Sequence, residues 1–180
     1  SSFHDNFLRL NGLTPAVYRG LSTKRKFTIK LPDGFLLPYL CRALSRDPHS
    51  VSEGLAGNTY TTAVRFLDGP ATLTMQLSAK SIQVEIPTDA AVEAHQLVCG
   101  LLGLDQDAAA FTRLARKLGL GRMVMGRPGL RLSQTQSVFD GVLWAIIGQQ
   151  INFPFACLLK SRLFKLAGEK ISSGLYATPL

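Results

Sequence analysis

Gln149 and Gln150 stand side by side in "SVFDGVLWAIIGQQINFPF", residues 137 to 155, where Gly148 interrupts an apolar run. A carboxamide both donates and accepts hydrogen bonds, so it can read a polar edge as readily as it satisfies a backbone group. Buried without partners, an amide costs on the order of a few kcal/mol. Two in a row therefore point to a surface, a network or a ligand. Other reactive groups are sparse. Cys41, Cys99 and Cys157 are odd in number, widely spaced and form no C-x-x-C, which indicates free, mostly buried thiols and neither a disulfide framework nor a structural zinc or iron–sulfur site. His4, His49 and His95 are scattered too far apart in sequence for metal-ligand spacing. The sequence contains no nucleophile–base pattern and no phosphate-binding loop.

The elements that must position the pair follow from local signals. Ser133 and Gln136 fit a capping box for a helix through Trp144 to Ile147, which Gly148 ends. Asn152 is placed to cap a further helix, "FPFACLLKSRLFKLAG", with Pro154 in its first turn and Gly168 at its end. The glutamines thus fall on a short turn between helices, beside a helix N-terminus whose free amides suit a phosphate. Upstream, "DQDAAAFTRLARKLGLG" predicts a helix stopped at Gly119. From Leu104 onward no strand pattern is expected.

The middle of the chain has a different period. "FTIKL" alternates, and "PDGFLLPYLCRAL" has helical spacing with Pro38 in a first turn. "TYTTAVRFLDGPATLTMQLSAKSIQVEI" gives three β-rich runs forming an antiparallel meander. Thr88 is the expected cap of a helix through "DAAVEAHQLVCGLL" that turns Val92, Leu97, Val98 and Leu101 or Leu102 to the sheet. The fold class is α+β, with the order β-α-β-β-β-α in its sheet layer. Before it, "FHDNFLRLNGLTPAVYRGL" predicts two short helices around an Asn-Gly turn, the second capped by Thr14 with Pro15 at its first position.

With 180 residues, 46% of them hydrophobic and 18% charged, the chain reads as folded and globular rather than disordered. Its apolar runs are far shorter than the ~20 residues of a membrane span, and no signal-peptide core opens it, so no membrane partner and a cytoplasmic location are expected. The net charge of +8 is unevenly spread. Residues 1 to 26 carry five bases against Asp5, residues 27 to 104 five bases against seven acids, and residues 105 to 180 ten bases against four acids. A polyanion would be held by the end segments, with the middle as support. Lys160, Arg162 and Lys165, with Asn152, are the candidates to contact the backbone of such a polyanion.

Two motifs carry a resemblance. "RPGLRL" at 127 to 132 followed by "VFDGVLWAIIGQQI" at 138 to 151 resembles the bacterial DNA-3-methyladenine glycosylase II family, where R-P-G-L-R precedes F-[DE]-x-x-V-x-A-I-L-G-Q-Q-[VI]-[ST]. The likeness runs from about Phe27 to Leu180, and it implies a TATA-binding-protein-like domain at 26–104 followed by the first part of an all-α glycosylase domain at 105–180. Phe3, Phe7, Gly12, Pro15, Tyr18 and Arg19 resemble the closing segment of AraC-type helix-turn-helix regulators, so that residues 1–25 look like the remnant of one, as in a fusion of an Ada-type regulator with a glycosylase. Such a family implies a bacterial, nucleoid-associated protein that acts on double-stranded DNA containing alkylated bases, without metal or organic cofactor. It flips the damaged nucleotide and hydrolyses its N-glycosidic bond in base excision repair. By this resemblance Gln149 lines the base pocket, Gln150 enters the space the base vacates, and Tyr39 is a pocket aromatic able to stack on an electron-poor purine.

One family feature is not found. The helix-hairpin-helix of the type L-P-G-[IV]-G and the aspartate that follows it do not occur before the last residues, "SSGLYATPL". "KLGLGRM" at 117 to 123 lacks the proline and precedes R-P-G-L-R, and it reads as a helix stop. Asp140 fills the acidic position of F-[DE]-x-x-V, a structural slot. The catalytic aspartate is therefore expected beyond the chain end, and the 180 residues alone are expected to be inactive. The alternative is a non-catalytic DNA-binding or regulatory module of an alkylation-response protein. The resemblance also implies that Val142, Trp144, Ile146, Ile147, Phe155, Leu159 and Phe164 cannot all be covered, leaving an apolar face for the remaining half or for self-association.

Overall fold

The structure, a computed structural model, describes residues 2–127 and 129–179; Pro128 of the R-P-G-L-R motif lies outside the described residues. Two short helices open the chain, α1 (Phe3–Asn11) and α2 (Pro15–Arg19). Ser2 and Asp5 cap α1 reciprocally, and Thr14 accepts from the Val17 amide at the start of α2. Gly12 ends α1 with φ 64°, and a Cβ there would run into Ile29 Cγ2 and sit 2.9 Å from the Lys30 carbonyl oxygen, so only glycine fits. A 3-10 turn at Leu21–Thr23 then leads into the sheet.

Five strands, β1 (Lys26–Lys30), β2 (Glu53–Ala56), β3 (Thr59–Phe66), β4 (Gly69–Leu77) and β5 (Ser81–Glu85), form an antiparallel sheet in the order β1-β5-β4-β3-β2. The sequence led us to expect one strand fewer. The added strand is β2, whose "EGLA" carries little β-branched or aromatic signal; its neighbour β3 supplies the ladder, Gly54 pairing Thr61 and Leu55 pairing Tyr60. The layer therefore reads β-α-β-β-β-β-α. Alternation places Phe27 and Ile29, Leu73 and Met75, and Ile82 and Val84 on the buried face. Against them pack α3 (Leu37–Leu44), through Leu40 and Leu44, and α4 (Ala91–Leu102), through Ala91, Ala94, Val98, Leu101 and Leu102. Thr88 does not cap α4. That helix starts later, from Ala90, and the Thr88 hydroxyl is buried without a hydrogen-bond partner.

The N-terminal helices share this core. Leu13 and Leu21 are buried in it, and a ring ladder runs from Phe7 through Tyr18 to His95 of α4. Each such aliphatic side chain contributes roughly 1.5–3 kcal/mol when fully buried. His95 Nε2 donates to the Asn11 carbonyl at 2.7 Å, and burial holds its imidazole below the ordinary histidine pKa, against the opposing pull of that hydrogen bond. Burial, helped by Asp105, pushes the neighbouring Cys99 thiol up to about 12, and burial likewise raises Cys157. Neither is a reactive thiolate.

After α4 come, among the described residues, α5 (Ala108–Lys117), α6 (Gly121–Val124), α7 (Val138–Ile147) and α8 (Phe153–Ala167). A strand pair that the sequence did not lead us to expect then closes the chain, β6 (Glu169–Lys170) with β7 (Tyr176–Ala177). It exists because the sheet layer holds it. Tyr176 N donates to the Val51 carbonyl at 2.9 Å, Arg65 Nε to the Thr178 carbonyl at 3.1 Å, and Arg65 pairs with Glu169 at 3.2 Å.

Candidate nucleic-acid interface

The α7–α8 hairpin presents the glutamine pair. α7 begins at Ser137, whose hydroxyl accepts from the Asp140 amide at 3.1 Å, and not at the expected Ser133 box. Gln136 is drawn away by tertiary partners: its Nε2 donates to Thr62 Oγ1 at 2.6 Å and lies 3.4 Å from both Tyr60 OH and Glu53 Oε2. Tyr60 OH in turn bonds the Glu53 carboxylate, and burial together with that charge raises the phenol's pKa well above its ordinary value. Gln136 thereby ties the approach to α7 to the sheet layer. The segment before it is fixed in the same manner. Arg131 Nη1 donates to the carbonyls of Gly103 and Gln106, and the Gln106 carboxamide donates through Nε2 to the Leu132 carbonyl and accepts through Oε1 from the Leu132 amide.

α7 ends at Gly148, where a Cβ would lie 2.8 Å from the Trp144 carbonyl oxygen. The Gly148 amide donates to that oxygen at 3.0 Å and the Gln149 amide to Ile146 at 3.3 Å. Gln150 follows with φ 59°, the one non-glycine residue in the left-handed region among the described residues. Asn152 then caps α8 by accepting from the Phe155 amide at 2.9 Å, with Pro154 in the first turn. Both glutamine side chains are exposed. The turn is thus closed by a cap on each side and displays two carboxamides to solvent.

Asn152, Arg162 and Lys165 are likewise exposed. Lys160 is not. Only 8% of it is accessible, and its Nζ faces Asp140 Oδ1 at 3.4 Å and the rings of Trp144 and Phe164 at 5.2 and 5.1 Å, so its expected place on a DNA backbone is corrected to a buried ion pair. The contact to Oδ1 lacks hydrogen-bond geometry, so it is Coulombic. Asp140 itself is 4% accessible. Tyr39, on α3, is 39% exposed and faces Arg127 at 5.9 Å from ring centroid to guanidinium carbon. It lines a narrow cleft with Phe35, Leu102, Gly129 and Arg131, to which neither glutamine contributes.

The expected apolar face is partly present. Val142, Ile146 and Phe155 are exposed, joined by Val138 and Leu166, whereas Phe164 is only 2% accessible and leaves the set. No described group of three or more His, Cys, Asp or Glu residues could hold a metal ion, and no described helix is long and apolar enough to cross a membrane. Sequence reasoning missed Gln106 and Arg46, and it assigned Gln136 to a helix cap where the structure gives it to Thr62 of the sheet. Arg46 lies in the α3–β2 connection, over the rings of Trp144 and Phe153 at 5.6 and 5.0 Å.

No protein-family model and no curated protein matches the chain. Among solved structures it is similar to the 3-methyladenine DNA glycosylase of Archaeoglobus fulgidus, with a TM-score of 0.69 and 22% identity over 85% of this chain and 56% of that one. It is also similar to the Clostridium acetobutylicum 8-oxoguanine glycosylase/lyase, determined in complex with double-stranded DNA containing cytosine opposite 8-oxoguanine, with a TM-score of 0.61 and 17% identity over 88% and 52% of the two chains. The chain spans little more than half the length of either. Over the matched part it shares the mixed helix-and-sheet fold of these two structures.

Proposed function

We propose that this chain is the damage-recognition part of a DNA glycosylase that excises N-alkylated bases of the 3-methyladenine type by base flipping. The observation that supports this most directly is Gln150: an exposed polar residue held in the left-handed region at the tip of a turn capped on both sides. A non-glycine residue in that conformation costs about 1–2 kcal/mol, and such strain concentrates at functional sites. In this reading Gln150 enters the gap left by the flipped nucleotide and bonds the opposite base. Gln149 and Tyr39 contact the extruded base, and Asn152, Arg162 and Lys165 meet the flanking phosphates. Hydrolysis itself needs a carboxylate facing the sugar. Asp140 cannot supply it, being buried against Lys160.

Two measurements test the reading. Residues 1–180 should bind a duplex containing a tetrahydrofuran abasic analogue about tenfold more tightly than the intact duplex, because the gap removes the cost of unstacking a base. Both affinities should fall steeply with salt. Equal affinity for the two duplexes refutes the gap-filling role. The same protein should release no 3-methyladenine from alkylated DNA above the spontaneous rate; measurable release would place a catalytic carboxylate within these residues.

A further inference from the structure

We infer that Arg46 is a positioning residue for the glutamine turn, acting through a stacked pair of aromatic rings that close its base. Trp144, in the last turn of α7, and Phe153, the first residue of α8, lie on either side of the 148–152 turn. Their rings stack at 5.7 Å between centroids with an interplanar angle of 11°. Arg46 reaches them from the sheet layer, its guanidinium carbon over both rings. Lys160 also approaches the Trp144 ring, and it joins Asp140 at the start of α7 to the middle of α8.

The arrangement constrains the turn in three ways. The stack fixes the separation of the two helix ends, so the residues between them must bridge a set distance. Gly148 can follow Trp144 closely because it has no Cβ. Finally, Arg46 references the helical hairpin to the sheet layer, so the turn and that layer keep one relative placement. A flat cation over two rings suits this, since guanidinium stacks on aromatic faces while retaining its hydration at the edge. The link between Arg46 and damage recognition rests on the function proposed above; the mechanical role of the stack does not.

Hydrogen exchange of the free protein separates the two. Arg46→Met keeps an apolar stem over the rings but removes the charge. The Gly148 and Gln149 amides, bonded to Trp144 and Ile146, should then exchange about two- to fivefold faster, while the Gly168 amide at the far end of α8 should keep its rate. Phe153→Leu should give the same local pattern, and Arg46→Lys should restore part of the protection. Trp144 is the sole tryptophan, so its emission should shift in Arg46→Met. Unchanged exchange at Gly148 and Gln149, or a uniform rise along α8, overturns the positioning role. On DNA, Arg46→Met should lower the preference for the abasic duplex about two- to fivefold and leave affinity for the intact duplex unaltered. An equal loss on both would make Arg46 a phosphate contact and overturn the inference. If the wild-type protein shows no such preference, the proposed function fails, and the exchange measurement still decides the stack.

Discussion

Lys160→Met is expected to destabilise the chain by about 3–5 kcal/mol, the cost of leaving one charge of a buried pair without its partner. The side chains of Lys160 and Asp140 are 10% and 5% accessible, so loss of the ammonium leaves the carboxylate largely desolvated. The carboxylate retains the Ser137 hydroxyl at 3.4 Å, too long and too weak to compensate a buried charge. Loss of the cation facing the Trp144 and Phe164 rings adds to the effect. Removing both charges should behave differently. Asp140→Asn with Lys160→Met leaves no uncompensated ion, and an amide at 140 can still accept from Ser137, so at least half of the lost stability should return. Urea unfolding of the wild type, the single and the double variant measures both quantities. A single-variant loss below about 1 kcal/mol would mean that the pair is hydrated and that Lys160 is a surface charge after all.

That pair shows where the sequence stopped being legible. The signals that could be read were local: Thr14 with Pro15, and Asn152 with Pro154, each mark a helix start through atoms within three residues, and the structure has caps at both places. The alternation in "FTIKL" and "SIQVE" is equally short-ranged and gave β1 and β5. Distant partners decided what was misread. Lys160 looks like a member of a basic helical face until Asp140, on another helix, removes it from the surface. Gln136 satisfies the pattern of a capping box, but Thr62 and Glu53 recruit it from the sheet, so Ser137 takes the cap. The β6–β7 pair needs Val51 and Arg65 to form. For the candidate site, the turn and its two carboxamides were legible from Gly148 and Asn152, whereas the Arg46 contact was not, since nothing near Arg46 in the sequence refers to Trp144 or Phe153.

Gln150→Gly is expected to move stability and DNA selectivity in opposite directions. At φ 59° the glutamine Cβ crowds its own backbone, and relief of that strain is worth about 1–2 kcal/mol. Glycine also gains freedom in the unfolded chain, which takes back roughly 0.4–1 kcal/mol. The net change is a stabilisation of up to about 1.5 kcal/mol, readable as a higher urea midpoint with an unchanged slope. The backbone of the turn should persist, because its two bonded amides and the Asn152 cap do not involve the Gln150 side chain. If that side chain fills the vacated space, the more stable variant should nonetheless lose about tenfold in preference for the abasic duplex over the intact one, equivalent to about 1.4 kcal/mol of lost gap contacts. Gln150→Ala separates the causes, since it keeps the backbone strain and removes the carboxamide: it should lose the preference without the gain in stability. A glycine variant that keeps the preference would show that the backbone alone recognises the gap. A glycine variant that is less stable than the wild type would show that contacts of the glutamine side chain, and not function, hold residue 150 in the left-handed region.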